Sequence, residues 1–385
     1  MAHRRIIEGV PKVAFAPIHD GKFEFTPFPS CLKSVLSFLG DEYPYHYLLS
    51  TCGGAFRLLW HSTRWEGGNV DIIFLDEDPL KPFRKALEST GYSYEMIFNR
   101  NLQWDSAVMD ITARDTYLAD VLSDDREHFR KSIVRSIEAG KPVIAFGVVG
   151  PPEASIITGY DEGGDVLIGW SMFQEHMDPV HDIDGDDMNG PAGYEENGYF
   201  RQIDWFDKLT GIIVLGEKGE VDTQAIYQDT LEWIPKIIRT PMVHEFHAGL
   251  KAYDTYIEKM SDTEGFPTKD RTALAERKLV HYDAMTMIAE RESGAQFLAD
   301  IAENPDFQSA KDDLLKASEA LSDANKQMHG WWEVVGQIWD DEEAQVKAVG
   351  DPAVRLKFIP YIEKARDKDR EAAEFIESVL EVLNK

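Results

Sequence analysis

Two cysteines in 385 residues are too few for a disulfide framework or a cysteine-rich zinc site. Bases are scarce as well: 40 Lys and Arg stand against 69 Asp and Glu, a formal net charge of −29. Gripping a phosphate backbone or an anionic lipid surface needs a basic face, and this composition predicts none. No stretch approaches the ~20 consecutive apolar residues that a membrane-crossing helix needs. Met1–Arg5 are polar and lead into no apolar signal core. These absences predict a protein of the reducing cytoplasm, without nucleic-acid or membrane partners. What is present fills cores. At 43% hydrophobic and 11% aromatic residues the chain is not of disordered composition. Its length suits two or three domains.

The hydrophobic period changes along the chain. Residues 1–218 mix short apolar runs with helical patterns. Val70–Leu75, Pro142–Val149, Ala154–Tyr160, Val166–Trp170 and Gly211–Gly216 read as strands between Gly and Pro punctuation. Cys31–Leu39, Pro79–Thr90 and Phe129–Ala139 read as helices, each followed by Gly. Gly163-Gly164 reads as a hairpin turn. The fold class expected is α+β, with an antiparallel sheet. From Asp222 the strand signals stop. Thr240-Pro241, Thr268 and Asp351-Pro352 look like helix starts, so helices are expected over 241–261, 268–303, 307–340 and 351–384. A leading helix over 223–239 is bent by Pro235. This predicts an all-α bundle over 222–385, with the boundary in the short polar stretch Gly216–Asp222. Asp178–Glu196 reads as a long acidic loop of the first domain.

Cys31 follows Phe28-Pro29-Ser30 at the start of an amphipathic helix. The free N–H groups and partial positive charge of a helix start favour a thiolate, the form a nucleophile needs. A small buried core residue is the alternative. The order of elements then resembles a known family. Ser30-Cys31-Leu32-Lys33-Ser34-Val35-Leu36, the Gly-rich stretch Gly53-Gly54-Ala55-Phe56-Arg57, and Gly159-Tyr160-Asp161 with its Gly-Gly hairpin are similar to papain-like cysteine peptidases of the bacteriocin-processing type. More closely they resemble the N-terminal domain named after a butirosin-biosynthesis acyltransferase. The resemblance covers about 15–218. It implies a papain-like domain with Cys31 as nucleophile, acting on a thioester or small amide. It also implies that the Cys31 backbone N–H stabilises the oxyanion.

Two positions depart from the family pattern. Where such peptidases carry the base histidine, this chain has Glu153, and where an Asp or Asn orients that base it has Trp170. Glu153 serves as a base only if burial raises its pKa, and an ionised Glu beside the thiol opposes thiolate formation. His176 and His181, on the following loop, are the substitute bases to consider. The expected catalytic set is therefore Cys31, Glu153 and His176. Gly53, Gly54, Trp170 and Gln174 are the expected substrate-binding residues. Stiffened by Gly150-Pro151-Pro152, Glu153 also suits recognition of an amine or of sugar hydroxyls.

Other motifs point elsewhere. Cys52-Gly53-Gly54 lacks P-loop and dinucleotide spacing, and close backbone packing explains it as well. Asp182, Asp184 and Asp186 alternate as in a calcium loop, but Asp187 and Gly193 stand where Gly and Glu are required. His244, His247, His281 and His329 would meet as a metal site only if three bundle helices converge. His281 shares a face with Leu274, Met285 and Ile288, which reads as core. Trp331, Trp332 and Trp339 read as core aromatics. The sequence therefore leaves three readings open: cysteine-dependent acyl transfer or amide hydrolysis on a small polar substrate, an inactive papain-like binder of a small ligand or partner, and a metal-binding bundle. No cofactor or metal is assigned, and a homodimer is left open.

Overall fold

The computed structural model describes residues 3–13, 24–69, 71, 75–100, 116–174, 190–335 and 341–384. In chain order the elements are β1 (Arg5–Ile6), α1 (Pro27–Phe38), α2 (Tyr45–Thr51), β2 (Leu59–His61), α3 (Lys81–Thr90), β3 (Tyr92–Asn99), β4 (Leu122–Ser123), α4 (Arg126–Glu138), β5 (Val143–Phe146), β6 (Ala154–Asp161), β7 (Val166–Ser171), β8 (Gly193–Tyr194), β9 (Phe200–Gln202) and β10 (Gly211–Lys218). There follow α5 (Thr223–Arg239), β11 (Met242–Val243), β12 (Phe246–Ala248), α6 (Gly249–Ser261), α7 (Arg271–Ala289), α8 (Arg291–Glu303), α9 (Lys311–Met328), α10 (Gly330–Val335), α11 (Glu342–Gly350) and α12 (Pro352–Leu383). Two compact units result. One is Met1–Leu48 with Phe83–Val221, the other Leu49–Pro82 with Asp222–Lys385. The sequence predicts a single cut near 218–222. The structure cuts there too, but assigns 49–82 to the second unit.

The first unit is α+β. Nine strands form one sheet; eight run in the order β4-β3-β10-β5-β6-β7-β9-β8, and β1 pairs with Gly159 and Tyr160 of β6, beyond the stretch that β5 pairs. All pairings are antiparallel except β3 with β4. α1 begins on Pro27, whose missing N–H costs nothing at that position. It ends before Gly40, which takes φ +93. Phe28, Leu32, Val35 and Leu36 form its buried face. Phe28 stacks edge-on to Phe83 at 4.7 Å and lies 6.1 Å from Phe146. Phe146 is also 6.1 Å from Phe98, so four phenylalanines make a continuous core under α1. α4 is capped by Asp125, whose side chain accepts from the Glu127 N–H at 2.9 Å.

Gly159-Tyr160-Asp161 fastens the amino-terminal strand. A Cβ at Gly159 would meet the Arg5 carbonyl oxygen at 2.7 Å. Tyr160 hydrogen-bonds Glu138 and His3. Asp161 accepts from Arg4 at 3.3 Å and from Arg201 at 3.2 Å, and both arginines also pair with Glu195.

The second unit is helical with a three-stranded sheet, β11-β12-β2. The expected helix over 241–261 is corrected here. Thr240 closes α5 rather than opening a helix, and α6 starts at Gly249. The intervening residues pair with β2, Phe246 opposite His61 and Ala248 opposite Leu59. Tertiary strand pairing overrides the local Thr-Pro signal. The expected helix over 268–303 starts at the Asp270 cap rather than Thr268, and divides at Glu290 into α7 and α8. The expected helix over 307–340 is a 3-10 turn, Pro305–Ala310, then α9 and α10. Asp351-Pro352 does start α12. Most of the expected strand Val70–Leu75 lies outside the described residues.

Candidate functional site

Cys31 is the fifth residue of α1 and its exposure is 0%. A helix starting at Pro27 uses the N–H of residue 31 inside its own i→i−4 ladder. That placement does not favour this N–H as an oxyanion donor. The helix-start field also falls off beyond the first turn. Just ahead of Cys31 the buried Glu24 carboxylate accepts from the Ser30 hydroxyl at 2.8 Å and pairs with Lys33.

α1 packs on β5 and β6, and Glu153 lies immediately before β6. Its carbonyl accepts from the Gly147 N–H at 3.1 Å. Ser155 pairs with Ser171, so the start of β6 and the end of β7 meet at one end of the sheet. Glu153, Trp170 and Gln174 thus come to this end. Trp170 and Gln174 are already occupied there. The Trp170 indole N–H donates to the Val10 carbonyl at 3.1 Å and its ring packs on Tyr199 at 4.7 Å. Gln174 accepts from the Ser171 N–H at 3.0 Å and donates to the Gly198 carbonyl at 3.0 Å. Both side chains hold local backbone. His176, His181 and the Asp182–Asp186 run lie outside the described residues.

Gly53 and Gly54 belong to the other unit. Gly53 has φ +79, and an added Cβ would meet Ile237 Cδ1 at 2.7 Å and Leu75 Cδ2 at 2.8 Å. Side chains fill the space that a ligand would need. Gly54 starts a 3-10 turn and its carbonyl accepts from Arg57 Nη1 at 2.9 Å. Burial pushes the Cys52 thiol up to about 12, against the smaller pull of the Gly54 backbone and Arg57.

Two buried polar groupings in the second unit escape the sequence reading. Arg57 is fully buried and lies 3.5 Å from Glu290. Desolvation raises Asp283 to about 6, partly offset by Arg57 and by a hydrogen bond from Asn69. The second grouping is Arg291, Asp369 and Tyr253. His281 is 1% exposed, bonds Tyr256 through Nδ1, and packs on Trp331 at 4.7 Å. Desolvation depresses it to about 3. The expected bundle-histidine convergence is corrected. His244 sits at φ +50 in the turn between β11 and β12, and His247 on β12, not on a helix. Among the described residues no group of three or more His, Cys, Asp or Glu is placed to hold a metal, and no described helix is long and apolar enough to cross a membrane.

On the sheet face away from Phe146 the register puts Ala145, Ser155, Ser171 and Thr210 together at the Glu153 end. Ser155 is 0% and Thr210 3% exposed, and neither hydroxyl has a hydrogen-bond partner.

No family model matches the chain and neither does any curated protein.

Proposed function

We propose that the first unit is a papain-like domain that binds a small polar ligand, with Cys31 kept as a core thiol rather than a nucleophile. The complete burial of Cys31 carries this reading. Its position beyond the first turn, a carboxylate bonded to its neighbour Ser30, and Glu153 in place of a histidine all support it. A nucleophilic thiol needs the thiolate form and access.

Cysteine-dependent acyl transfer or amide hydrolysis is the second reading. It is favoured by the packing of α1 on β5 and β6, with Glu153 at the start of β6. The alkylation rate of Cys31 between pH 4 and 9, followed by peptide mass spectrometry, separates the two. Binding predicts slow labelling of both cysteines in the folded chain, rising together on unfolding. Rapid labelling of Cys31 alone well below pH 8 would overturn it in favour of catalysis.

A further inference from the structure

Two carboxylates of the second unit lie on one face of α7 beside a single guanidinium. Glu290 closes the helix, and its Oε2 is 3.5 Å from Arg57 Nη1. Asp283 stands two turns earlier on the same face. The guanidinium pairs with Glu290, and Asp283 takes a hydrogen bond from Asn69 instead. Asn69 is the clip of this region. Its Oδ1 accepts from the Leu59 N–H at 2.9 Å, its Nδ2 donates to the Leu59 carbonyl at 3.0 Å, and its own carbonyl accepts from Arg57 Nη2 at 3.3 Å. One side chain thus fastens its segment to β2 and to α7. Gly67 lies over the carboxylate with no side chain of its own. A Cβ there would stand 3.0 Å from Asp283 Oδ2 and 3.2 Å from Asn69 Nδ2. Gly67 and Asp283 are both half-buried, so lifting this segment brings water onto the carboxylate.

Other charges nearby are already engaged. Arg57 favours the ionised form of Asp283 and Glu290 opposes it. Glu66, next to Gly67, pairs with Arg64 at 3.0 Å. Asp71 bears on the Cys52 thiol. α11 packs on α7, but its Glu342 and Glu343 go to Lys278 and Arg271, at 3.8 and 2.9 Å. α9 meets the helix end through Asn325, which donates to the Ala289 carbonyl. Glu292 of α8 accepts from Ser322 at 3.0 Å. His281 is bonded to Tyr256. When Asp283 ionises, one positive charge therefore faces two negative ones, and the second is left uncompensated.

We propose that Asp283 is a proton switch that fastens Gly67–Asn69 to α7 in mild acid and frees this segment when the proton leaves. With Asp283 protonated, Arg57 and Glu290 balance and the segment is shut. Once the proton passes to water, lifting Gly67 and Asn69 hydrates the extra charge. Burial raises Asp283 from 3.8 to about 6, and lifting the segment returns it toward 3.8, so opening is favoured as pH rises across that range. The sign is opposite to acid unfolding, which His281 drives.

Hydrogen–deuterium exchange on the full chain tests this at the Leu59 amide, which Asn69 holds. Linkage puts the rise in opening between pH 4.5 and 6.5 at roughly 20-fold, after correction for the intrinsic exchange rate. Asp283→Asn cannot ionise and should show no rise. Glu290→Gln leaves Arg57 to Asp283 and should move the rise to lower pH, which keeps the test intact if Asp283→Asn fails to fold. Corrected exchange at Leu59 that is flat or falls with pH overturns the switch. A native-like rise in a folded Asp283→Asn, or one unmoved in Glu290→Gln, overturns it too. An equal rise at amides throughout α12 would mean that the whole unit opens, and also overturns it.

Discussion

Arg291 and Asp369 form a fully buried, doubly bonded ion pair, with Arg291 Nε 3.1 Å from Oδ1 and Nη2 2.9 Å from Oδ2. The remaining Arg291 nitrogen donates to the Ala55 and Arg57 carbonyls, at 3.0 and 2.9 Å. Tyr253 donates to Asp369 at 2.9 Å. One guanidinium therefore ties α8, α12 and the turn after Gly54 together. Such a buried pair holds because the Ala55 and Arg57 carbonyls and the Tyr253 hydroxyl supply further hydrogen bonds to its two charged groups.

Removing one partner should be far worse than removing both. Arg291→Met leaves a bare buried carboxylate and should cost about 3–5 kcal/mol in urea titrations. The double change Arg291→Met with Asp369→Leu should recover much of that loss. Equal loss in the single and double variants would show that the backbone bonds to Ala55 and Arg57, not the ion pair, carry the stability.

Gly159→Ala tests the fastening of the amino-terminal strand. The new Cβ would meet backbone of Arg5 and Ile6, at 2.7 and 3.0 Å, where nothing flexible can give. A cost of about 1–3 kcal/mol is expected. Trypsin should then cleave at Arg4 and Arg5 sooner than in the native chain. An unchanged digestion pattern would mean that the Arg4, Asp161, Glu195 and Arg201 network holds the strand without close contact at Gly159.

Much of the sheet is legible from punctuation. β5 lies within an expected apolar run, β6, β7 and β10 cover theirs and extend one or two residues beyond, and α1 and α4 end just before Gly40 and Gly140. What escapes notice depends on distant partners. β11 and β12 take strand form because β2, about 180 residues earlier, offers an edge. β3 alternates only loosely, since its last four residues, Met96–Asn99, are buried on both faces. The charged core groups had a readable signal. Asp369 falls on the helical stripe Ile362, Ala365, Ala372 and Ile376, and Arg291 on Ile288, Ala295 and Leu298. A lone charge on an apolar stripe marks a buried pair. The orphan hydroxyls had none, because Ser155 and Thr210 look like ordinary strand residues until the register is known.

The second unit carries two opposed pH dependences. His281 is held neutral by burial down to about 3, whereas it ionises near 6.5 when unfolded. The unfolded chain therefore binds the extra proton, and this contribution is lost as pH falls from about 6.5 toward 3. Asp283 is raised to about 6 from 3.8, so the folded chain binds the extra proton and stability falls as pH rises from about 3.8 to 6. Between about pH 4 and 6 the two slopes oppose. Asp283→Asn should leave the histidine slope alone and make acid destabilisation steeper there. Tm against pH for both chains reads this directly, and parallel curves would show that Asp283 does not titrate in this range.

Gly53 decides what the glycine pair is for. Its φ of +79 disfavours any side chain, and an added Cβ would be 2.7 Å from Ile237, 2.8 Å from Leu75 and 3.0 Å from Trp233. Gly53→Ala should therefore lower stability by about 1–3 kcal/mol, through strain and overpacking together. Cys31 labelling in the first unit should stay as in the native chain, because the glycine packs in the other unit's core. A folded, fully stable Gly53→Ala would instead show that the space beside Gly53 is open, as the substrate-binding role implied by the resemblance to a cysteine-peptidase domain requires.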